Sequence, residues 1–142
     1  LYWHIDATPS SEHEIIFTLI DDETIDPILE VVLDAPSRSG IQRVDLSDYG
    51  ISLERGIEYE WSVSVGFAGS YAPIAVSSAF IRRADALTTE APRSAREFAM
   101  RGLWYDALAS VQRGVETSPG DRELRHDQES LLSQAGLERA LR

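Results

Sequence analysis

Four groups of residues in this chain have side chains that could do chemistry. Asp21, Asp22, Glu23 and Asp26 bring carboxylates together in one short stretch, and a hard cation such as Ca²⁺ takes about six to eight oxygen ligands. The stretch lacks the glycine turn and closing Glu of a calcium loop, so a solvated hairpin tip is the simpler reading. His4, His13 and His126 are the three histidines. No two have the i, i+4 spacing of a helical zinc pair, and only His4 and His13, with Glu14 nearby, would face each other across a strand pair. Asp106 sits beside Trp104 and Tyr105, a setting that raises a carboxyl pKa in glycoside-cleaving enzymes. Such an enzyme needs a second carboxylate close by, and the sequence places none. A helix-surface Asp with its aromatic neighbours packed against the β portion is favoured instead.

The fourth group is aromatic: Phe67 and Tyr71 among Gly66, Gly69 and Ser70, and Phe98, Trp104 and Tyr105 further on. Aromatic side chains are favoured anchors at binding surfaces. Phe67, Tyr71, Trp104 and Tyr105 are therefore the candidate partner-binding residues, with interdomain core as the competing reading for Trp104. There is no Gly-x-Ser-x-Gly elbow, phosphate-binding glycine loop or nucleotide fingerprint. Cysteine is absent, which removes disulfides and thiolate chemistry. No catalytic, cofactor-binding or metal-binding residue is assigned, no cofactor is implied, and an enzyme is not expected.

Charge narrows the partners. Residues 1–85 carry fifteen Asp/Glu against five Arg, a net of −10, whereas residues 86–142 carry nine against eight, a net of −1. Lysine does not occur. An acidic excess of this size repels phosphate backbones and argues against nucleic acid and anionic membrane as partners. No apolar run approaches the roughly 18 residues that cross a bilayer. The chain opens at Leu1 without a methionine or leader pattern, which reads as a piece of a longer protein.

The elements that must position these residues follow from periodicity. From Tyr59 to Val65 large apolar residues alternate with Glu60, Ser62 and Ser64, the two-residue period of a strand with one buried face. The preceding Leu53-x-x-Gly56-x-x-Tyr59-x-Trp61 predicts a sandwich corner, in which a Tyr hydroxyl bonds to backbone slightly upstream. Residues 1–5 read as an edge strand, 14–20 as an apolar inner strand and 28–33 as its hairpin partner. Ile41, Val44 and Leu46 form a weaker strand, and 74–83 the last, after a Gly/Pro-containing loop at 66–73. Six or seven such strands predict an antiparallel β-sandwich of immunoglobulin or fibronectin-III type over residues 1–85.

Near residue 84 the period lengthens to about 3.6. Pro92 suits the first turn of a helix ending at Gly102, and Leu108, Val111 and Val115 mark the apolar face of a second. Ser118-Pro119-Gly120-Asp121 starts a third, with Ser118 as its cap, and Gly136-Leu137 ends it. Phe98, Gly102, Ala107, Gly114 and Pro119 match the pattern of a tetratricopeptide repeat, and Gly136 follows Gly102 by one repeat length of 34 residues. The segment 86–142 thus resembles one and a half repeats, too little to bury its own apolar face, and is expected to dock on the sandwich. The overall class is α+β.

The order of segments is distinctive: Leu1-Tyr2-Trp3, Gly40-Ile41-Gln42-Arg43-Val44, Gly56-Ile57-Glu58-Tyr59-Glu60-Trp61, Phe80-Ile81-Arg82-Arg83, and Gly102-Leu103-Trp104-Tyr105-Asp106-Ala107-Leu108. It resembles a bacterial envelope family catalogued as domain of unknown function 928, over nearly the whole chain. The resemblance implies a periplasmic or secreted location and carries no established activity. The expected function is a non-enzymatic protein-interaction or scaffolding module of the cell envelope, holding a protein partner. The alternative is a carbohydrate- or peptidoglycan-binding accessory domain. Exposed sheet edges and open repeat ends also invite self-association into a homo-oligomer.

Overall fold

The computed structural model describes residues 1–24, 26–85 and 90–141. Six strands, β1 (Tyr2–Ile5), β2 (His13–Asp21), β3 (Leu29–Leu33), β4 (Gly40–Arg43), β5 (Glu58–Phe67) and β6 (Pro73–Arg82), precede three helices. These are α1 (Ala95–Met100), α2 (Trp104–Thr117) and α3 (Arg122–Gln134), and the sheets are antiparallel, so the class is α+β. Two compact units result. One holds Ile5–Ser39 and Leu46–Asp85; the other holds Leu1–His4, Gly40–Asp45 and the helices.

In the first unit four strands pair in the order β3-β2-β5-β6. Ile15, Phe17 and Leu19 of β2 lie opposite Val65, Val63 and Trp61 of β5, and opposite Leu33, Val31 and Leu29 of β3. Because side chains alternate between faces, this register gathers the large apolar residues on one side of the sheet. Ile15, Phe17, Leu19, Tyr59, Trp61 and Val63 are buried there. Phe17 stacks diagonally on Trp61, with ring centroids 6.2 Å apart. The alternation that starts at Tyr59 is therefore a strand with one dry face.

The corner before β5 forms as its spacing predicts. Gly56 adopts φ 79°, which a side chain would strain, and its N–H donates to the Arg83 carbonyl at 3.2 Å. The Arg83 guanidinium donates in turn to the Leu53 carbonyl at 3.0 Å. The chain then reverses, and the Tyr59 hydroxyl accepts the Glu54 backbone N–H at 3.1 Å. The strand itself begins at Glu58, after this turn. Replacing Tyr59 with Phe removes the acceptor while keeping the ring, and is expected to cost about 1–3 kcal/mol, because the Glu54 N–H loses its partner. A urea-unfolding series on Tyr59→Phe checks this, and an unchanged midpoint would show that water replaces the hydroxyl at no loss.

In the second unit β1 and β4 pair only with each other among the described residues. Leu1 and Val44 exchange backbone bonds of 2.8 and 2.9 Å, the mark of an antiparallel pair. A two-stranded ribbon is not stable alone in water, and β4 meets the 3₁₀ turn at Glu138–Leu141 that follows α3. The expected boundary after residue 85 thus separates neither unit cleanly, because these two early segments group with the helices.

Ala95, Ala107, Val111 and Leu131 form the buried cluster of the helices, with Phe98, Trp104 and Val115 packed against it. Helix α1 starts later than Pro92 suggests, because Ser94 caps it by accepting the Glu97 N–H at 3.2 Å, while Glu97 accepts the Arg93 N–H at 2.7 Å. It ends where the Gly102 N–H donates to Ala99 and the Leu103 N–H to Phe98, both carbonyls. Helix α3 ends the same way, Gly136 donating to Ser133 and Leu137 to Leu132. The α3 cap is Asp121, not Ser118: its carboxylate accepts the Glu123 and Leu124 N–H groups at 2.9 and 3.3 Å, and Ser118 closes α2. Gly114 leaves room for a neighbour's side chain, since a Cβ there would stand 2.9 Å from Leu124 Cδ1.

Candidate functional site

The acidic stretch after β2 is a self-bonded turn. Asp21 Oδ1 accepts the Glu23 N–H at 3.1 Å, the Thr24 N–H at 2.9 Å and the Thr24 hydroxyl at 3.0 Å. Desolvation pushes the Asp21 carboxyl up, but the bonds from Thr24 and Glu23 together outweigh it and hold it below its ordinary value. A depressed carboxylate favours the folded turn above the unfolded pKa, and that preference is lost as pH falls through the lowered folded value. The Thr24 and Glu23 amide resonances are therefore expected to move together in acid, with a midpoint below the usual Asp range, and Asp21→Asn is expected to abolish the titration. Ile25, inside this stretch, lies outside the described residues.

The histidines are dispersed. β1 pairs with β4, and β2 pairs with β3 and β5, so His4 and His13 do not face each other across a strand pair. His13 stacks instead on Phe67, opposite it in the register, at 5.1 Å, and its Nδ1 is 2.7 Å from the Ser10 hydroxyl. No cluster of three or more His, Cys, Asp or Glu with metal-binding placement occurs among the described residues. Nor, among them, is any helix long and apolar enough to cross a membrane. Asp106 is exposed in the first turn of α2, where negative charge suits the helix N-terminus.

Of the four aromatic candidates, Trp104 and Tyr105 belong to the helical unit. Trp104 packs on the helical cluster, its Nε1 donates to the Leu131 carbonyl at 3.3 Å, and it meets the Tyr105 ring edge-on at 5.3 Å. Its aromatic ring serves the packing of the helices themselves.

Phe67 and Tyr71 belong to the sheet unit and both line an open groove at one end of it, Phe67 pairing with His13 on the face that carries Ile15 and Val65. The β5–β6 register shifts between Val65 and Gly66, where β6 carries the extra residue Ile74, while β5 stays in step with β2 as far as Phe67. Residues 68–72 then turn back, with Gly69 at φ 77° and the Ser70 N–H donating to the Phe67 carbonyl at 2.9 Å. Beneath the turn, Ile16, Ser64 and Val76 stand in one row across β2, β5 and β6, and Glu14, Gly66 and Pro73 form the next. Gly66 contributes no side chain, so the sheet is notched between Glu14 and Pro73. The result is an open groove of about 290 Å³ with Ile16 and Val76 as apolar floor and Phe67 and Tyr71 at its rim.

The electrostatics of the groove are simple: a single carboxylate, Glu14, among hydroxyls and apolar surface. Phe67 is 52% exposed and held by His13, whereas Tyr71 is wholly exposed, at 105% of its reference area. The arrangement offers aromatic faces, one charge and two serines, and no paired acid and base. Glu14, Ile16, Ser64 and Val76 are groove residues that sequence reasoning missed. One signal pointed to them: β2 is apolar at Ile16 and Ile20 as well as at Ile15, Phe17 and Leu19, so its wet face carries more hydrophobic surface than a solvated strand needs.

No curated protein and no solved structure matches the chain. Residues 1–141, and with them both units, match the family described as Domain of Unknown Function (DUF928), to which the chain belongs.

Proposed function

We propose that this chain is a non-enzymatic binding module of the bacterial cell envelope, and that it holds a protein partner through the outer face of its four-stranded sheet. One observation carries the proposal: Tyr71 stands fully exposed at an apolar-floored groove that the half-exposed Phe67 also lines. Exposed aromatics rimming apolar surface are the usual composition of a binding anchor. His13 already orients Phe67, so that ring loses little freedom when a partner covers it. At about 290 Å³ the groove lies at the lower end of small-ligand sites, roughly 300–1,000 Å³, and its openness suits a side chain presented by a protein surface. The helices fit the same role: Gly102 and Gly136, at φ 73° and 70°, end α1 and α3 one tetratricopeptide repeat length apart, and such repeats serve as docking surfaces. The envelope location rests on the family resemblance, and fractionation of cells making the full-length protein tests it.

The binding test uses envelope extract and three baits: the unaltered chain, Tyr71→Ala and Gly66→Leu, the last filling the notch. Both variants are expected to keep the thermal midpoint and to lose a partner that the unaltered chain enriches. Undiminished capture of that partner by both would overturn the proposal. A carbohydrate-binding reading is favoured by one feature, the carboxylate of Glu14 and the hydroxyls of Ser64 and Ser70 beside aromatic faces. Glycan binding that disappears in Tyr71→Ala would establish it, and a blank array would remove it.

A further inference from the structure

The two edges of the four-stranded sheet are built differently. β3 is five residues long, carries Glu30 and is flanked by Asp26-Pro27 and Asp34. Short length, charge and proline are how edge strands are kept from pairing with other chains. β6 is ten residues long and has no charged residue before Arg82, in a chain of which 26% is charged. Its register with β5 is unbroken from Val65↔Ala75 to Glu58↔Arg82, so the edge is regular from Ala75 on, the proline and the one register shift lying at its Pro73 end. Among the described residues β6 is bonded to β5 on one side only. Ile74 and Val76 are each 58% exposed and Phe80 61%, and Ala75, Ser77 and Ser78 are exposed as well.

We propose that this edge pairs with the same edge of a second copy, antiparallel about a two-fold axis at Ser78. The sequence of β6 singles out that occupant because it complements itself in this register. With Ser78 opposite Ser78, Val76 falls opposite Phe80 of the second copy and Phe80 opposite Val76, two aromatic–β-branched pairs on the outer face. On the inner face Ala75 falls opposite Ile81, small against large, and Ser77 opposite Ala79, both small. A one-residue slip would set inner-face positions against outer-face ones and destroy both sets. Each surface meets its own copy, so the contact closes as a dimer and does not propagate. The two sheets become one of eight strands, and the exposed apolar row of β6 is covered. Each copy carries a net charge of −11, so the dimer is expected to tighten as salt screens the repulsion.

The absence of cysteine makes the register directly testable. In Ser78→Cys the two thiols of a dimer lie on the axis, where paired Cα atoms are about 4.5–5.5 Å apart and a disulfide can form. In Ile74→Cys the introduced thiol lies opposite Arg82 and far from its own copy. Under mild oxidation the full chain with Ser78→Cys is expected to form covalent dimer at least about tenfold faster than Ile74→Cys, because a disulfide needs Cα atoms within about 7 Å. Light scattering is expected to give a mass that rises to the dimer with concentration for the unaltered chain and for Tyr71→Ala. Phe80→Lys, changed at an exposed position outside the groove, is expected to stay monomeric with an unaltered thermal midpoint. A monomer mass for the unaltered chain at every concentration, or equal cross-linking at 78 and 74, would overturn the proposal. Loss of the dimer in Phe80→Lys with partner capture retained separates this edge from the groove, because Phe80 does not line it.

Discussion

Replacing Phe17 with alanine is expected to destabilise the four-stranded sheet by about 3–5 kcal/mol, the range for removing a fully buried aromatic side chain. Phe17 has no exposed surface and lies at the centre of the buried face, stacked on Trp61 and flanked in the register by Val31 and Val63. The loss has two sources: the burial of the ring's apolar surface no longer favours the folded state, and a hole remains where the strands cannot close in. Backbone bonds hold β2 to both β3 and β5, so β2 cannot shift to fill that hole without disturbing two ladders. Folded small domains are stable by only about 5–15 kcal/mol, so a loss of this size takes much of the total. The expected result is a lower urea midpoint together with faster hydrogen exchange at the amides of β2 and β5. Phe17→Leu keeps most of the volume and is expected to lose less than half as much. A midpoint shift below about 1 kcal/mol for Phe17→Ala would mean that the ring is not packed as described.

The parts of the fold legible beforehand are those governed by local rules. Tyr59, Trp61, Val63 and Val65 alternate with polar residues, so strand and buried face follow from the pleat alone. The Leu-x-x-Gly-x-x-Tyr spacing marks the corner because only a glycine tolerates the φ of 79° that lets the hydroxyl reach Glu54. Gly136-Leu137 ends α3 for the same kind of reason. Pairing across the chain was not legible. Nothing local in Leu1-Tyr2-Trp3 says that it pairs with the strand beginning at Gly40, or that the two would group with helices many residues later. Capping competition was also misread: Ser118 and Asp121 are both good cap residues, and the Pro119-Gly120 turn decides for the carboxylate. The groove divides in the same way. Phe67 and Tyr71 stand out as aromatics among glycines, whereas Ile16, Ser64 and Val76 become neighbours only once β2, β5 and β6 are in register.

Trp104→Ala is expected to cost the helical unit about 3 kcal/mol, toward the low end for a tryptophan because the ring is only partly buried. The ring sits at the first position of α2 and reaches Leu131 on α3, so it ties the start of one helix to the end of another. Its removal takes away apolar packing on Ala95, Ala107 and Val111 and leaves the Leu131 carbonyl short of one donor. Trp104→Phe separates the two contributions: most of the ring remains and the 3.3 Å bond is lost, so about 0.5–1.5 kcal/mol is expected. The comparison also decides how Trp104 is to be used as a probe of binding. A variant that loosens α1, α2 and α3 together would weaken any contact made by those helices without touching the partner. Loss of capture in Trp104→Ala therefore counts toward a binding role only if Trp104→Phe, with its helices intact by hydrogen exchange, loses capture too. If Trp104→Ala unfolds at the same urea concentration as the unaltered chain, the ring is not part of the helical core, and its surface becomes an anchor on the same footing as Tyr71.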